Sequence, residues 1–274
     1  MQAQAEQPTA RRSLTTLQRG LRVLEVVAAE HGQITAKQLS KRMGIRQGTC
    51  YHLLRTLQEE GYVVRLPGGQ YDLNGRVAFL QDSLRSRLTP DLKVLSILRE
   101  LHETVNETTC VCGWYREQIV VQWYLEPKRA LHARSLEIGY DQNAHARAST
   151  KAILAFLPDK LVRAYFTSRG MPKLTAHTLT DIEGLLSNLA TTARLGCAID
   201  REEMARGVCC IGAPYFDERA FPIGAYGLSV PTDRFEENYE LLVSAVMAAA
   251  KDTSIKCGYA GSYPPASPLL RLAM

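Results

Sequence analysis

The segment from residue 35 to residue 61 constrains the fold most, because it contains two amphipathic helical patterns that a single glycine separates. Thr35 and Gln38 have the spacing of a capping box, which predicts that a helix starts at Thr35. Gly44 can adopt the left-handed conformation that ends a helix in a tight turn. A further helix is expected from about residue 46 to residue 61. Helix, short glycine turn and helix is the arrangement of a helix-turn-helix.

An apolar helical pattern precedes this pair, and a hairpin pattern follows it. Leu17, Leu21 and Leu24 recur at helical spacing and predict a first helix after residues 13–15. Two short β-favouring runs flank Pro67-Gly68-Gly69 and predict a hairpin. A hairpin directly after the third helix makes the module a winged helix-turn-helix. A three-helix bundle with a hairpin cover, and with no nucleic-acid partner, remains the alternative.

The positive charge of the chain is concentrated in this first part. Residues 1–87 contain 13 Lys+Arg and 7 Asp+Glu, whereas residues 88–274 contain 20 and 21. The window from residue 37 to residue 55 has no acidic residue, and its basic residues are Lys37, Lys41, Arg42, Arg46 and Arg55. A window of one sign indicates a polyanionic partner, although patches of this size also occur by chance.

The outward side of the third predicted helix supplies candidate contacts to double-stranded DNA. Arg and Gln side chains can contact guanine and adenine edges, and a Thr methyl can contact thymine. The candidates on this helix are Arg46, Gln47, Thr49, Tyr51, His52 and Arg55. Thr35, Lys37 and Arg65 are better placed for phosphate groups. His52 is equally explained as an ordinary surface histidine.

Composition limits the remaining classes of protein. With 274 residues and 46% hydrophobic residues, either two domains or one large domain with a sizeable core is expected. No apolar run is long enough for a membrane span, and the N-terminus does not resemble a secretory signal, so a cytoplasmic protein without a membrane partner is expected. The seven cysteines are expected to be free thiols. No Cys-x-x-C pair occurs, so neither a metal site nor a cofactor is predicted.

The second part of the chain has a mixed pattern. β-favouring runs at 111–115, 119–124, 208–213 and 223–230 alternate with helical patterns at 92–101, 146–157, 180–195 and 235–255. Strand pairs interrupted by helices indicate an α+β domain with an antiparallel sheet. The alternative function for this part is an enzyme that uses Cys210 as a nucleophile, but no partner His signature accompanies that cysteine. No enzyme activity and no catalytic residues are therefore predicted.

Several separated motifs resemble the isocitrate lyase regulator (IclR) family of bacterial transcription factors. They are Gly44-Ile-Arg-Gln-Gly-Thr-Cys-Tyr-His-Leu-Leu54, Ala148-Ser-Thr-Lys-Ala-Ile-Leu-Ala-Phe-Leu157, Leu195-Gly-Cys-Ala-Ile-Asp200, Gly207-Val-Cys-Cys210-Ile-Gly-Ala-Pro214 and Leu228-Ser-Val-Pro231. The resemblance implies a winged helix-turn-helix over 13–73, a linker helix over 74–90 and a GAF-like effector-binding domain over 91–257. Residues 1–12 and 258–274 are expected to be disordered tails. The family usually has Arg at the position of His52 and Gly at the position of Thr150.

The resemblance also implies a binding site for a small organic acid. Carried over position by position, its residues are Ala148, Ser149, Asp200, Cys210, Gly227 and Ser229. Amides at the start of the helix that contains Ala148 would suit an anion. Family members that take very small acids usually have Ser at the position of Gly227. The missing hydroxyl is expected to add room, and hence to favour a larger or more apolar ligand.

The fold class predicted from these observations is mixed α/β, with an N-terminal winged helix-turn-helix and a C-terminal α+β domain. The predicted function is a ligand-responsive transcription regulator. A homodimer would place two third helices about 34 Å apart, matching a pseudopalindromic operator. A homotetramer, as a pair of dimers, is left open, as is the choice between repressor and activator.

Overall fold

A computed structural model describes residues 14–127 and 137–267. The chain divides into two compact units between Leu84 and Arg85, inside the helix that was predicted as a linker. Among the described residues, no helix is both long enough and apolar enough to cross a membrane. The predicted N-terminal tail lies outside the described residues.

The first unit contains three helices and a small sheet, followed by the linker helix. Its elements are α1 (Thr15–Ala29), β1 (Ile34–Thr35), α2 (Ala36–Met43), α3 (Gln47–Glu59), β2 (Val63–Arg65), β3 (Gln70–Leu73) and α4 (Gly75–Leu88). The sheet is antiparallel in the order β1-β3-β2. This is the predicted winged helix-turn-helix, with β1 as an additional strand that pairs with the hairpin.

Local signals in the sequence set the helix boundaries of this unit. The Thr35 side chain accepts a hydrogen bond from the Gln38 amide, and the Gln38 side chain accepts one from the Thr35 amide, so the predicted capping box is confirmed. Gly44 ends α2 with φ of 63°, a left-handed conformation that favours glycine. Leu39 and Leu54 are fully buried and join α2 and α3 in one core.

The second unit is a five-stranded antiparallel sheet with helices on both faces. Its elements are α5 (Leu92–Val105), β4 (Thr108–Tyr115), β5 (Gln118–Leu125), α6 (Ala148–Leu154), α7 (Asp159–Thr167), α8 (Ile182–Leu195), β6 (Ala198–Arg201), β7 (Val208–Phe216), β8 (Pro222–Pro231), α9 (Thr232–Glu237) and α10 (Tyr239–Lys256). The strand order is β5-β4-β8-β7-β6. This sheet confirms the predicted α+β domain.

Alternation along the strands divides the core of this unit into two layers. Cys110 and Cys112 face α6 and α8, whereas Val111 between them faces α5 and α10. The start of α6 lies directly on β7. A Cβ atom on Gly212 would lie 2.6 Å from the main chain of Ala148 and Ser149, so only glycine allows this approach.

Three features of this unit differ from the prediction. Helix α7 was not expected, and neither was strand β6, on which Asp200 lies. The predicted closing helix is interrupted at Asn238, where α9 ends before α10 begins. Strand β6 has only four residues, and it pairs with β7, where Asp200 lies opposite Cys210. This pairing stabilises the extended conformation of β6.

The predicted disordered C-terminal tail is wrong for residues 258–267, which pack on the second unit. The rings of Tyr259 and Tyr263 both lie 5.9 Å from the Phe216 ring. The Tyr263 hydroxyl donates to the Pro214 carbonyl at 2.9 Å, and the Ser267 hydroxyl donates to the Ala155 carbonyl at 2.5 Å. Packing of two partly buried aromatic rings on the core overcomes the loop-like composition of this segment. The remainder of the tail lies outside the described residues.

Candidate functional site

A cavity of about 100 Å³ lies between the start of α6 and the sheet of the second unit. All six residues that the resemblance implied for the ligand site line this cavity, namely Ala148, Ser149, Asp200, Cys210, Gly227 and Ser229. Strand pairing explains why distant residues meet there. Cys210 is the register partner of both Asp200 on β6 and Ser229 on β8, and Gly227 is the partner of Cys110 on β4.

Thiols and hydroxyls form the polar contacts on the floor of the cavity. Cys210 Sγ lies 3.4 Å from Ser229 Oγ, and the Cys112 thiol donates to Ser149 Oγ at 3.2 Å. Cys112 is itself fully buried beneath Ser149. A ligand in the cavity therefore meets small polar groups that can exchange hydrogen bonds, rather than a purely apolar wall.

The expectation that Gly227 adds room to the cavity is wrong. A Cβ atom at this position would lie 2.8 Å from Cys110 Sγ and 3.2 Å from Ser149 Cβ. The neighbouring side chains already fill the space that a larger residue would need. Gly227 therefore reflects close packing between β4, β8 and α6, and it gives no reason to expect a larger ligand.

Asp200 places a carboxyl group in the cavity wall with one oxygen unpaired. Its Oδ1 accepts a hydrogen bond from the Glu203 amide at 2.6 Å, whereas Oδ2 is buried and has no hydrogen-bond partner among the described residues. Burial raises the pKa of Asp200 to about 7, although the amide hydrogen bond opposes this shift. Near neutral pH this carboxyl can therefore both donate and accept hydrogen bonds.

A buried ion pair lies next to Asp200, because it includes Glu203, whose amide donates to the Asp200 carboxyl group. Lys151 Nζ donates to Glu203 Oε1 at 2.6 Å and to the Ile199 carbonyl at 3.0 Å, and the Lys151 side chain is fully buried. These contacts connect α6 to β6 and to the turn that follows it. The pair thus fixes the two elements that carry Ser149 and Asp200.

Arg147 also lines the cavity, and sequence reasoning missed it. It immediately precedes α6 and is only 7% exposed. An arginine between two alanines does not by itself indicate burial, because long basic side chains are usually exposed. The signal that the sequence offers is the run of mostly small and apolar residues that follows Arg147 directly and forms α6, every residue of which is buried in the structure.

The structure does not favour the enzyme alternative. Burial, together with the nearby Asp200 carboxylate, raises the pKa of Cys210 well above that of a free thiol. A nucleophilic cysteine requires the opposite shift. Within residues 14–127 and 137–267, no group of three or more His, Cys, Asp or Glu side chains is arranged to hold a metal ion.

The first unit presents most of the predicted DNA contacts on one exposed face. Arg46, Gln47, Tyr51, His52 and Arg55 are exposed at the start and along the outer side of α3, as are Lys37 on α2 and Arg65 on β2. Tyr51, His52, Arg55 and Arg65 surround a shared surface depression. Arg55 also lies 3.7 Å from Glu59 in an exposed i,i+4 pair. The helix and the hairpin thus contribute to a single basic surface.

Two of the predicted DNA contacts are less available. Thr49 is half-buried on α3. Thr35 is also half-buried, and its hydroxyl lies 2.6 Å from Gln38 Oε1 within the capping box. The side chain of Thr35 therefore already has a structural partner.

A winged helix with a basic outer face, followed by a sheet domain that encloses a small cavity of mixed polar and apolar lining, is the arrangement of a DNA-binding regulator with a ligand-binding domain. Family models agree with this class. The model described as "IclR helix-turn-helix domain" matches residues 16–67, and "Bacterial transcriptional regulator IclR C-terminal" matches residues 92–255. The chain belongs to the IclR family of bacterial transcription regulators.

Individual relatives match over nearly the whole chain. It is 30% identical over 250 residues to the transcriptional repressor IclR of Escherichia coli, which covers 89% of this chain and 90% of that protein. The crystal structure of Thermotoga maritima IclR has a TM-score of 0.71 at 22% identity and covers 90% of this chain and 100% of that chain. An IclR homologue from Microbacterium hydrocarbonoxydans, solved with 4-hydroxybenzoate, has a TM-score of 0.63 at 22% identity, covering 87% and 98%. These solved structures share the fold of the chain.

Proposed function

We propose that the chain binds a pseudopalindromic operator as a homodimer, and that a small organic acid in the cavity changes its affinity for DNA. The proposal of a ligand site rests on one observation. All six residues expected at that site line the same cavity, although they belong to four different elements. Limits of 13–73, 74–90 and 91–257 for the DNA-binding domain, linker and sensor domain belong to this proposal. The protein would act in the bacterial cytoplasm, where the DNA is.

The size of the cavity indicates a ligand of few carbon atoms. Sites for drug-sized molecules are roughly 300–1,000 Å³, and a cavity of about 150 Å³ holds benzene. The cavity here measures about 100 Å³. The homologue from Microbacterium hydrocarbonoxydans was solved with 4-hydroxybenzoate, an aromatic acid. For this chain we propose a smaller, aliphatic acid.

Exposed leucines on α1 and at its N-cap support a second copy of the chain as the partner of the first unit. Leu14, Leu17 and Leu21 lie at helical spacing and are 73%, 59% and 53% exposed. An isologous contact through this surface would give the twofold symmetry that a pseudopalindrome requires. We expect L17E/L21E to shift the molar mass measured by light scattering towards the monomer. L161E, at an exposed leucine of α7, is the matched control and should leave it unchanged.

Fluorescence anisotropy tests the regulator itself. The protein is titrated onto labelled DNA from upstream of its own gene and onto scrambled DNA of equal length, each at two salt concentrations. Sequence-selective binding that weakens steeply with salt supports the proposal, because phosphate contacts release counterions. Equal and salt-insensitive binding to both DNAs would contradict it. Addition of two- to four-carbon acids to the complex then tests the ligand response.

A further inference from the structure

Arg147 is held in an unusual position for a charged side chain. Its Nη1 donates to the Tyr140 carbonyl and its Nη2 to the Ile119 carbonyl, each at 3.0 Å. The guanidinium carbon lies 5.4 Å from the centre of the Tyr140 ring. Nε is buried and donates to no acceptor among the described residues. Of five N–H groups, Nε–H and one on each Nη therefore remain for another partner.

Among the residues that the structure describes, no carboxylate forms an ion pair with this guanidinium, although Glu137 lines the same cavity. The segment 128–136, which lies outside the described residues and precedes Tyr140, contains no Asp or Glu. Lys151, one turn further along, shows the usual solution, because Glu203 lies 2.6 Å from it. A buried cation without such a partner is costly.

The other polar groups that line the cavity leave the positive charge largely in place. Beneath Ser149, a hydrogen bond with Cys110 and the nearby Arg147 lower the pKa of Cys112 to about 7, so its thiolate offsets part of the charge. Ser149, Cys210 and Ser229 are neutral. Burial raises the pKa of Asp200 to about 7, so its negative charge is reduced near neutral pH. The predicted anion site at the start of α6 is also weak by itself, because α6 has only seven residues. Arg147 is thus the principal cationic group of the cavity.

We propose that Arg147 binds the carboxylate of the ligand and so selects small acids over neutral molecules of the same shape. The inference rests on the proposed ligand function of the cavity and specifies its chemistry. A planar guanidinium with a free Nε–H and a free Nη–H can form two parallel hydrogen bonds to a carboxylate. Neutralisation of the buried charge by the ligand then contributes to affinity.

Calorimetric titration of the full chain tests this assignment with matched pairs of probes. Acetate, propionate, lactate and pyruvate are each compared with the corresponding primary amide. We expect at least one acid to bind the unaltered protein at least tenfold more tightly than its amide. R147M should weaken binding of that acid at least tenfold and change binding of the amide less than threefold. R147K, which keeps the charge without the planar fork, should retain part of the preference.

R169M is the control for a purely structural effect. Arg169 also donates to two carbonyl groups, those of Tyr165 and Glu117, and lies over the Tyr165 ring, but it does not line the cavity. R169M should leave the acid preference unchanged. The thermal midpoint of each ligand-free variant shows whether it is folded. If R147M does not fold, the test is made with R147K instead. An R147K variant that prefers the acid over its amide as strongly as the unaltered protein does would overturn the role of Arg147.

Three results overturn the role of Arg147 and leave the proposed operator binding standing. They are equal binding of acid and amide to the unaltered protein, no binding of any acid, and an R147M variant that keeps the full preference. The second of them also contradicts the proposed response to an acid. DNA anisotropy on the same protein samples separates these results from a failure of the regulator proposal, because operator binding is measured without any ligand.

Discussion

Gly227 and Cys110 face each other across the β4–β8 pair so closely that a Cβ on Gly227 would lie 2.8 Å from Cys110 Sγ. The contact defines one wall of the cavity through packing rather than through chemistry. The residue tolerated at position 227 therefore depends on the size of the side chain at position 110. Substitutions at the two positions should therefore not be independent.

Substitution G227A should destabilise the second unit by about 1–3 kcal/mol, because a methyl group would overpack the wall. In C110A/G227A the sulfur is removed, so the double variant should lose less stability than the sum of the two single variants. Urea unfolding of the four proteins measures this coupling. Additive effects would contradict the packing argument.

Asp200 should make stability depend on pH. Because the pKa of its carboxyl is raised from 3.8 to about 7, the folded protein retains a proton that the unfolded chain releases between these values. Stability of the unaltered protein relative to D200N should fall as pH rises from about 4 to about 7, by up to roughly 1.4 kcal/mol per pH unit. Above about pH 7 the difference should become constant. Parallel stability curves for the two proteins would refute this account.

The buried Lys151–Glu203 pair should respond differently to single and double substitution. K151M leaves the Glu203 carboxylate buried without its partner and should cost about 3–5 kcal/mol. K151M/E203L removes both charges and should be more stable than K151M. E183Q, in the exposed pair between Arg163 and Glu183, is the control and should change the denaturation midpoint little. A double variant less stable than K151M would contradict this view.

Lys37 should contribute to DNA binding without reading sequence. It is exposed at the start of α2, so K37A should weaken binding to operator and scrambled DNA by a similar factor. The slope of log affinity against log salt should decrease by about 1. K173A removes an exposed charge from the second unit and should leave both quantities unchanged. Loss of operator binding alone would instead indicate a base contact.

Thr35 offers a test of a structural role for a residue predicted to contact phosphate. T35A should destabilise the first unit by about 1 kcal/mol through loss of the helix cap, whereas T35S should retain most of the stability. Chemical denaturation of the first-unit transition measures both. A T35A variant that is fully stable but binds DNA weakly would favour the phosphate role.

The sequence was sufficient to predict structure where residues close together in the chain determine the backbone conformation. The capping box at Thr35 and the left-handed Gly44 are set by neighbouring atoms, so the winged helix could be predicted residue by residue. Convergence of Asp200, Cys210 and Ser229 depends on strand register, and the family resemblance supplied it. Sequence patterns did not reveal the burial of Arg147, because its partners are main-chain carbonyl groups, of Ile119 on β5 and of Tyr140 in the preceding loop, which leave no mark in the sequence.

The contact between Gly212 and the first turn of α6 has a consequence for how this sensor can diversify. Since main-chain atoms of Ala148 and Ser149 meet β7 there, position 212 has no room for a side chain that could contact a ligand. For the ligand site proposed above, altered specificity is expected at cavity positions that carry side chains, such as Arg147, Cys210 and Ser229. A mutagenesis library for engineered biosensors is best concentrated on those three codons, with glycine retained at 212.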